Sequence, residues 1–258
     1  MTERMPTIFV GHGNPMNAIS DNKWSRGWRE LGKTLQPKQV LAVSAHWYVP
    51  GSFTMASHDP RTIHDFGGFP QELYQVQYPA PGDPGLADRV AKMLVKCGSQ
   101  PRSDWGLDHG TWSVLCHMFP EAEVPVIQLS IDSRASYEEH LAIGRQLAPL
   151  RNEGILIVGS GNLVHNLRSA FQKMRLDDQS VPTWSRHFDE EAAHALKQSD
   201  TDFLTMAPTT EEGRICHPSP DHYIPLLYAA GAADASDKVT FPVEGFDLGL
   251  SMRVVRFG

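Results

Sequence analysis

Three histidines of this chain follow short apolar runs that end in small residues. Such runs lead into His12, into His46 and, through the small residues 159–161, towards His165. The runs are typical of strands buried on both faces of a parallel sheet, and the Gly and Ser residues after them allow sharp turns. Because ligands bind at the carboxyl edge of such a sheet, we expect the three imidazoles to meet there. Imidazole is a common metal ligand, so the pattern predicts a metal site and favours an enzyme.

His165 also fits roles other than metal binding. Residues 159–161 (Gly-Ser-Gly) resemble the start of a dinucleotide-binding loop, but the third glycine of that motif is missing. Ser160 lacks the glycine spacing of a nucleophile elbow. A histidine at the start of a helix after a buried strand is well placed as a general base, since its free pKa of about 6.5 lies near the working pH.

Two further histidines lie in glycine-rich or proline-rich loops. His109 stands in a glycine-bounded loop before a predicted helix, whose positive end would keep the imidazole neutral and help to bind an anion. A hydrogen bond to Asp108 or to the backbone explains His109 equally well. Asp221 is expected to cap the helix predicted over 221–230, with His222 in its first turn. Capping explains Asp221, but it does not explain His222.

The remaining histidines have simpler interpretations. His117 is expected in or beside the core, and His217 is interpreted as a turn residue before a proline. Four more stand in polar contexts and are expected on the surface: His58, His140, His187 and His194.

Composition limits the class of protein. The chain has 258 residues, of which 41% are hydrophobic and 21% charged, and a formal net charge of −7. This balance predicts a folded core, and the negative charge argues against nucleic acid as a partner. Three cysteines without a CxxC pair, no signal sequence and no long apolar run predict a reduced, cytoplasmic protein without a membrane partner. The oligomeric state stays open.

Strand and helix patterns alternate along the chain, which predicts an α/β fold. We expect a single domain over 1–258, with a central mostly parallel or mixed sheet and helices on both faces. Residues 49–82 do not show this alternation of strands and helices. Within them, residues 64–70 are interpreted as a wall or lid of the site, or as a structural meander. Strands are predicted near 7–11, 39–46, 125–130, 154–160, 238–243 and 252–257. Helices are predicted near 22–34, 84–97, 110–118, 136–149, 163–174, 185–198 and 221–230.

Several short motifs, in this order, resemble those of one enzyme family. They cover nearly the whole chain: GHGNPM (11–16), SAHW (44–47), TIHDFGGFP (62–70), YPAPG (78–82), LDHGTW (107–112), QLSID (128–132), GSGN (159–162), HNL (165–167) and PDHY (220–223). The sequence is similar to the class III extradiol ring-cleavage dioxygenases, the superfamily of the protocatechuate 4,5-dioxygenase catalytic subunit. Within it the chain resembles the 4,5-DOPA dioxygenase branch.

The resemblance implies one α/β catalytic domain with a mononuclear metal at the edge of the sheet. It implies that His12 and His46 are metal ligands, that His165 is the acid/base histidine, and that His109 faces the substrate and O2. The implied reaction opens the ring of a DOPA-like catechol to a muconic semialdehyde. A carboxylated substrate would need a cation, for which the chain offers Arg61, Arg102, Arg168 and Arg214.

One departure from the wider superfamily concerns the third metal ligand. That superfamily completes its iron site with a glutamate, whereas here no carboxylate stands in the expected motif. His222 is the natural occupant of the third place, and His165 could also enter the metal's shell. Fe(II) is expected for activity, and three imidazoles also suit Zn²⁺.

Two other classes of protein use the same residues. A zinc-dependent hydrolase could activate water on a metal held by His12, His46 and His222. A non-catalytic metal-binding or structural α/β protein is the third interpretation.

Overall fold

The apolar runs before His12, His46 and His165 form three neighbouring strands of one sheet. The computed structural model of the chain describes residues 4–258. The strands within that range are β1 (Thr7–Gly11), β2 (Gln39–Val49), β3 (Phe53–Met55), β4 (Gln100–Arg102), β5 (Val126–Asp132), β6 (Ile155–Gly161), β7 (Val239–Val243), β8 (Phe246–Asp247), β9 (Leu250–Ser251) and β10 (Val254–Phe257). β8 and β9 form a separate small hairpin, and the other eight strands form the sheet.

The sheet is mixed, with a parallel centre. Its strand order is β4-β3-β5-β2-β6-β1-β10-β7. β5, β2, β6 and β1 run parallel to one another, whereas β3 is antiparallel to β5 and β10 is antiparallel to β1. The carboxyl ends of β1, β2 and β6 therefore meet at one edge, which is the edge that carries the predicted histidines.

Helices cover both faces of the sheet, which confirms the predicted α/β architecture. Ile8 and Val10 of β1 pack in one apolar cluster with Trp28 of α1, whereas Phe9 packs in a second cluster with Leu226 of α10. Alternate residues of a strand point to opposite faces, so these two helices lie on opposite sides. The helices are α1 (Lys23–Lys33), α2 (Gln71–Tyr74), α3 (Pro84–Met93), α4 (His109–Met118), α5 (Tyr137–Leu147), α6 (Leu167–Leu176), α7 (Thr183–Gln198), α8 (Thr201–Met206), α9 (Glu211–Cys216) and α10 (Ile224–Gly231). No helix in the described range is both long and apolar enough to cross a membrane.

His46 lies inside a strand and not at its end. β2 was expected to stop at residue 46, but it continues to Val49. Its pairing with β5 jumps from Val43–Leu129 to Tyr48–Ile131, so residues 44–47 form a bulge. A bulge redirects side chains and is frequent beside functional sites. Here it contains His46.

Several predicted boundaries were wrong. The helix predicted over 163–174 starts at Leu167, after His165, and the helix predicted over 221–230 starts at Ile224, after His222. Asp221 is therefore not a helix cap. β3, β4, α2, α8, α9 and the β8–β9 hairpin were not predicted, because each is too short to show a clear hydrophobic period.

His140 was expected on the surface and is fully buried. Its Nδ1 lies 3.0 Å from the hydroxyl of Tyr228, which supplies the polar partner that burial requires. His217 is also buried, and its Nε2 lies 2.9 Å from the carbonyl oxygen of Leu163. The surface prediction was wrong because it followed the polar residues next to His140 in the sequence, whereas His140 lies on the face of α5 that packs inward. His58, His187 and His194 are exposed, as predicted.

Candidate metal centre

Five imidazoles meet at the carboxyl edge of the parallel strands. His12 directly follows β1, His46 lies in the bulge of β2, and His165 lies four residues beyond β6. His109 begins α4, and His222 lies in the turn before α10. The ring centroids of His12, His46 and His222 are 5.0–5.2 Å apart. The structure thus brings together every histidine that the sequence analysis assigned to the site.

The environment of His12 fixes which ring nitrogen carries the proton. Its Nδ1 lies 3.0 Å from the hydroxyl oxygen of Ser160. That hydroxyl donates its own hydrogen to the carbonyl oxygen of Gly110 at 2.5 Å, so it must accept from His12. Nδ1 therefore holds the proton, and Nε2 presents a lone pair. Burial lowers the pKa of His12 well below its ordinary value, which keeps the ring neutral.

His46 has the same arrangement with a carboxylate. Its Nδ1 lies 3.1 Å from Oδ2 of Asp65, and its Nε2 lies 3.2 Å from Nε2 of His12. Burial lowers the pKa of His46, but Asp65, Asp108 and Asp221 outweigh burial and the net direction is upward. With Nδ1–H directed at Asp65, Nε2 is again the free donor atom.

His222 completes the set of three. Its Nδ1 donates to Oδ2 of Asp221 at 2.6 Å, so its Nε2 is also unprotonated. Burial lowers the pKa of His222 well below its ordinary value. Asp221 therefore orients a neighbouring imidazole, which is a different role from the helix cap expected from the sequence.

This donor set fits a divalent metal ion. One donor nitrogen from each of His12, His46 and His222 lies within 4.8 Å of the others, and across residues 4–258 no carboxylate or thiolate belongs to that group. Two nitrogens on one metal at about 2.0–2.1 Å lie about 2.8–3.4 Å apart. The 3.2 Å between Nε2 of His12 and Nε2 of His46 falls in that range.

His165 lies beside this group and not within it. Its ring stacks on that of His222, with centroids 3.4 Å apart and 8° between the planes. In the described part of the chain its ring nitrogens have no hydrogen-bond partner. Burial lowers the pKa of His165 to about 3, so the ring is neutral near pH 7 and its lone pair is free.

Asp65 connects His46 with His109. Its Oδ2 lies 3.0 Å from Nδ1 of His109, and its Oδ1 accepts the backbone N–H of His109 at 2.9 Å. Burial raises the pKa of Asp65, but His109 and His46 outweigh it and hold that pKa well below its usual range. Burial, followed by the charge of His46, lowers the pKa of His109.

The partner of His109 is thus Asp65 and not Asp108. Asp108 caps α4 through the N–H of Thr111 and accepts hydrogen bonds from Ser44 and Gln128. The role of Asp65 was not predicted, because 44 residues separate it from His109. Ser160 was considered only as a nucleophile, whereas its hydroxyl is the partner of His12.

The histidines open into a cavity of about 260 Å³. Its other lining is mostly apolar and includes Phe66 and Phe69 of the predicted wall, together with residues of α6 and of the β8–β9 hairpin. None of the four arginines considered as substrate partners lines it. The complete lining is His12, Gly13, Asn14, Pro15, His46, Asp65, Phe66, Phe69, His109, His165, Leu167, Ala170, Phe171, Met174, His222, Asp247, Leu248 and Leu250.

Comparison with known proteins agrees with this site. Residues 5–250 match the family described as the catalytic LigB subunit of aromatic ring-opening dioxygenase. The chain therefore belongs to this family, whose members are metal-dependent enzymes that cleave aromatic rings at an extradiol position, acting on catechol-like substrates with O2.

Particular relatives lie within this family. The chain is 46% identical to the 4,5-DOPA dioxygenase extradiol of Escherichia coli K12, over 99% of this chain and 95% of the relative. It is 37% identical to the 4,5-DOPA dioxygenase extradiol of Beta vulgaris, over 95% of this chain and 92% of the relative. A crystal structure of an uncharacterized protein from Escherichia coli K12 superposes with a TM-score of 0.85 at 40% identity, covering 99% of this chain and 100% of that one.

Proposed function

We propose that this chain opens the ring of a DOPA-like catechol with O2, using one Fe(II) held by His12, His46 and His222. The observation that carries the proposal is the common environment of these three rings. Nδ1 of each lies within 3.1 Å of an oxygen of Ser160, Asp65 or Asp221, which favours the ring proton on Nδ1 and leaves three Nε2 lone pairs for one ion. Two of the relatives above are named for the same reaction on DOPA.

Three neutral imidazoles leave the full positive charge on a bound divalent ion. When bound, Fe(II) supplies the redox chemistry and the vacant positions that bring a catechol and O2 together. Zn²⁺ fits the same three nitrogens but cannot supply that redox chemistry. We therefore expect Zn²⁺ to bind and Fe(II) to support turnover.

His165 is proposed as the general base. Burial keeps the ring neutral, and no hydrogen bond from the described chain occupies its nitrogens. A catechol that binds next to His222 places a phenolic hydroxyl near the stacked His165. His165 can take that proton, because the catechol oxygen becomes a far stronger donor when it is ionised.

His109 is proposed to hold a proton beside the reacting ring. Nδ1 of His109 lies 3.0 Å from Oδ2 of Asp65, so a proton arriving at Nε2 produces an imidazolium beside a carboxylate. This is the physical role of the carboxylate in a His–Asp pair, which orients the ring and stabilises its charged form. Phe66 lies edge-on to His109 with centroids 5.4 Å apart and helps to exclude water.

Anaerobic reconstitution with Fe(II), followed by oxygen uptake and absorbance of the yellow product over a panel of catechols, tests the proposal. We expect one O2 consumed per ring opened, and no turnover with Zn²⁺ alone. Hydrolysis of esters or amides without O2, combined with no oxygen uptake on any catechol, would support the zinc hydrolase and contradict the proposal.

A further inference from the structure

The β8–β9 hairpin contributes one wall of the catalytic cavity. Leu248 and Gly249 join the two strands with φ angles of +50° and +83°. Two successive residues with positive φ are typical of the tight hairpin turn that matches the twist of its strands. Asp247, Leu248 and Leu250 of this hairpin line the cavity together with the histidines.

Buried hydrogen bonds fix this hairpin to the rest of the domain. Ser251 donates its hydroxyl to Asp189 of α7 at 2.6 Å, and its carbonyl oxygen accepts from the side chain of Asn162 at 2.8 Å. Ser185 donates to the carbonyl oxygen of Gly249 at 2.7 Å. The wall is therefore anchored to α7 and to the end of β6, and it can hold a ligand group in a defined position.

Of the two carboxylates in the described cavity lining, only that of Asp247 has no hydrogen bond or ion pair with another side chain. The second carboxylate, Asp65, is engaged by His46 and His109. The carboxylate of Asp247 makes no hydrogen bond to residues 4–258 and no ion pair within 4.0 Å. Burial raises the pKa of Asp247, and the charge of Lys23 acts in the opposite direction. A partly desolvated carboxylate that accepts no hydrogen bond is stabilised when a cation binds to it.

The remaining wall is mostly apolar, with Asn14 as an uncharged polar residue. No lysine or arginine belongs to the described lining, so an anionic substrate tail would find no lysine or arginine to pair with there. An aromatic ring with a short apolar spacer would contact these side chains: Phe66, Phe69, Leu167, Phe171 and Met174.

We infer that Asp247 binds the ammonium group of the substrate, so that this enzyme selects catechols with a cationic side chain over catechols with an anionic one. The inference rests on the proposed function and specifies its substrate class. DOPA meets this requirement through its amino group. A catechol amine that lacks a carboxylate meets it better, because it brings no negative charge into the cavity. Asp247 is a specificity residue in this scheme and takes no part in proton transfer.

The test compares three catechols that differ in charge: dopamine, 4-methylcatechol and 3,4-dihydroxyphenylpropionate. Their kcat/KM values are measured on the Fe(II)-loaded wild type, on Asp247→Asn and on Asp88→Asn. Asp88 is exposed on α3 and outside the cavity lining, so its variant makes the same change in net charge elsewhere. We expect Asp247→Asn to lower the ratio of dopamine to 4-methylcatechol about tenfold. The ratio of the propionate to 4-methylcatechol should rise, and Asp88→Asn should leave both ratios unchanged.

Anaerobic calorimetry on the Zn²⁺-loaded proteins gives a readout independent of turnover. Asp247→Asn should weaken the binding of dopamine by a similar factor and leave that of 4-methylcatechol within twofold. If both ratios and the dopamine Kd are unchanged in Asp247→Asn while the wild type opens 4-methylcatechol, the inference fails and the proposed function stands. If the wild type opens no catechol, the proposed function fails, and the calorimetric comparison still decides the role of Asp247.

Discussion

The imidazole of His165 lies face to face with that of His222, with ring centroids 3.4 Å apart and only 8° between the planes. His222 directs its Nδ1–H at Asp221, whereas the ring nitrogens of His165 have no partner in the described chain. The two rings are therefore adjacent but chemically distinct. One has the second-sphere partner typical of a metal ligand, and the other has a free lone pair.

Replacing His165 by alanine separates these two roles. We expect His165→Ala to bind one metal ion per chain with near wild-type affinity, because its ring lies outside the group of three donor nitrogens. Ring opening should fall about 10²- to 10⁴-fold, since the general base is lost. Metal analysis and oxygen uptake on the same sample measure both quantities. Wild-type turnover in this variant would contradict the role of His165 as general base. Loss of the metal would show that His165 is a metal ligand.

Asp65 orients two histidines of the site, so its removal should affect metal binding and turnover together. We expect Asp65→Asn to weaken metal affinity about 10- to 100-fold, which is the usual cost of losing a partner of a ligating histidine. Turnover at saturating Fe(II) should also fall, because His109 loses the carboxylate that stabilises its charged form. Asp59→Asn, an exposed change in the same loop region, is the control. Unaltered metal affinity in Asp65→Asn would mean that His46 is oriented by other contacts.

Gly110 allows α4 to approach the metal centre closely. A Cβ at this position would lie 2.4 Å from Oγ of Ser44 and 2.9 Å from Cδ2 of His46. We expect Gly110→Ala to displace His46, lower metal affinity at least tenfold and cost about 1–3 kcal/mol of stability. Gly67→Ala is the matched control, since its added Cβ meets no atom within 4 Å. Thermal unfolding and metal titration of both variants test this, and equal behaviour of the two would contradict it.

His140 should make the protein less stable in acid. Burial lowers the pKa of His140 to about 4, so the folded state binds fewer protons than the unfolded chain between that pH and about 6.5. Its contribution is therefore fully present above about pH 6.5 and decreases as the pH falls towards 4, by about 3 kcal/mol at most.

Urea unfolding between pH 7 and pH 4 measures this effect. His140→Asn keeps a hydrogen-bonding atom for Tyr228 but does not titrate, so its stability should decline less steeply than that of the wild type. His194→Asn, on the exposed face of α7, should retain the wild-type slope. Parallel curves for the wild type and His140→Asn would show that His140 is protonated without cost.

The sequence predicted the place of His12, His46 and His165 because a buried apolar run leads into each of them, and parallel strands end at one edge. It did not predict the bulge at 44–47, since a bulge is defined by pairing with β5 and not by local composition. Asp65 was missed for a related reason. Its partners lie 19 and 44 residues away, and only the packing of the 49–82 segment onto α4 brings them together.

The β8–β9 hairpin could not be predicted from the hydrophobic pattern of the sequence. Its strands have two residues each, which is too short for a detectable alternation. The position of Asp247 in the cavity depends on tertiary hydrogen bonds of the hairpin with Ser185, Asp189 and Asn162. The absence of arginine from the lining was equally invisible in the sequence, which offered four candidates.

X-ray absorption at the iron edge of the anaerobic Fe(II)-loaded protein tests the central claim most directly. We predict one iron per chain, bound by three imidazole nitrogens. We also predict that His12→Ala, His46→Ala and His222→Ala each lose one of these nitrogens, whereas His165→Ala keeps all three. A first shell with fewer than two imidazoles, or a spectrum that the His222 variant leaves unchanged, would contradict the account.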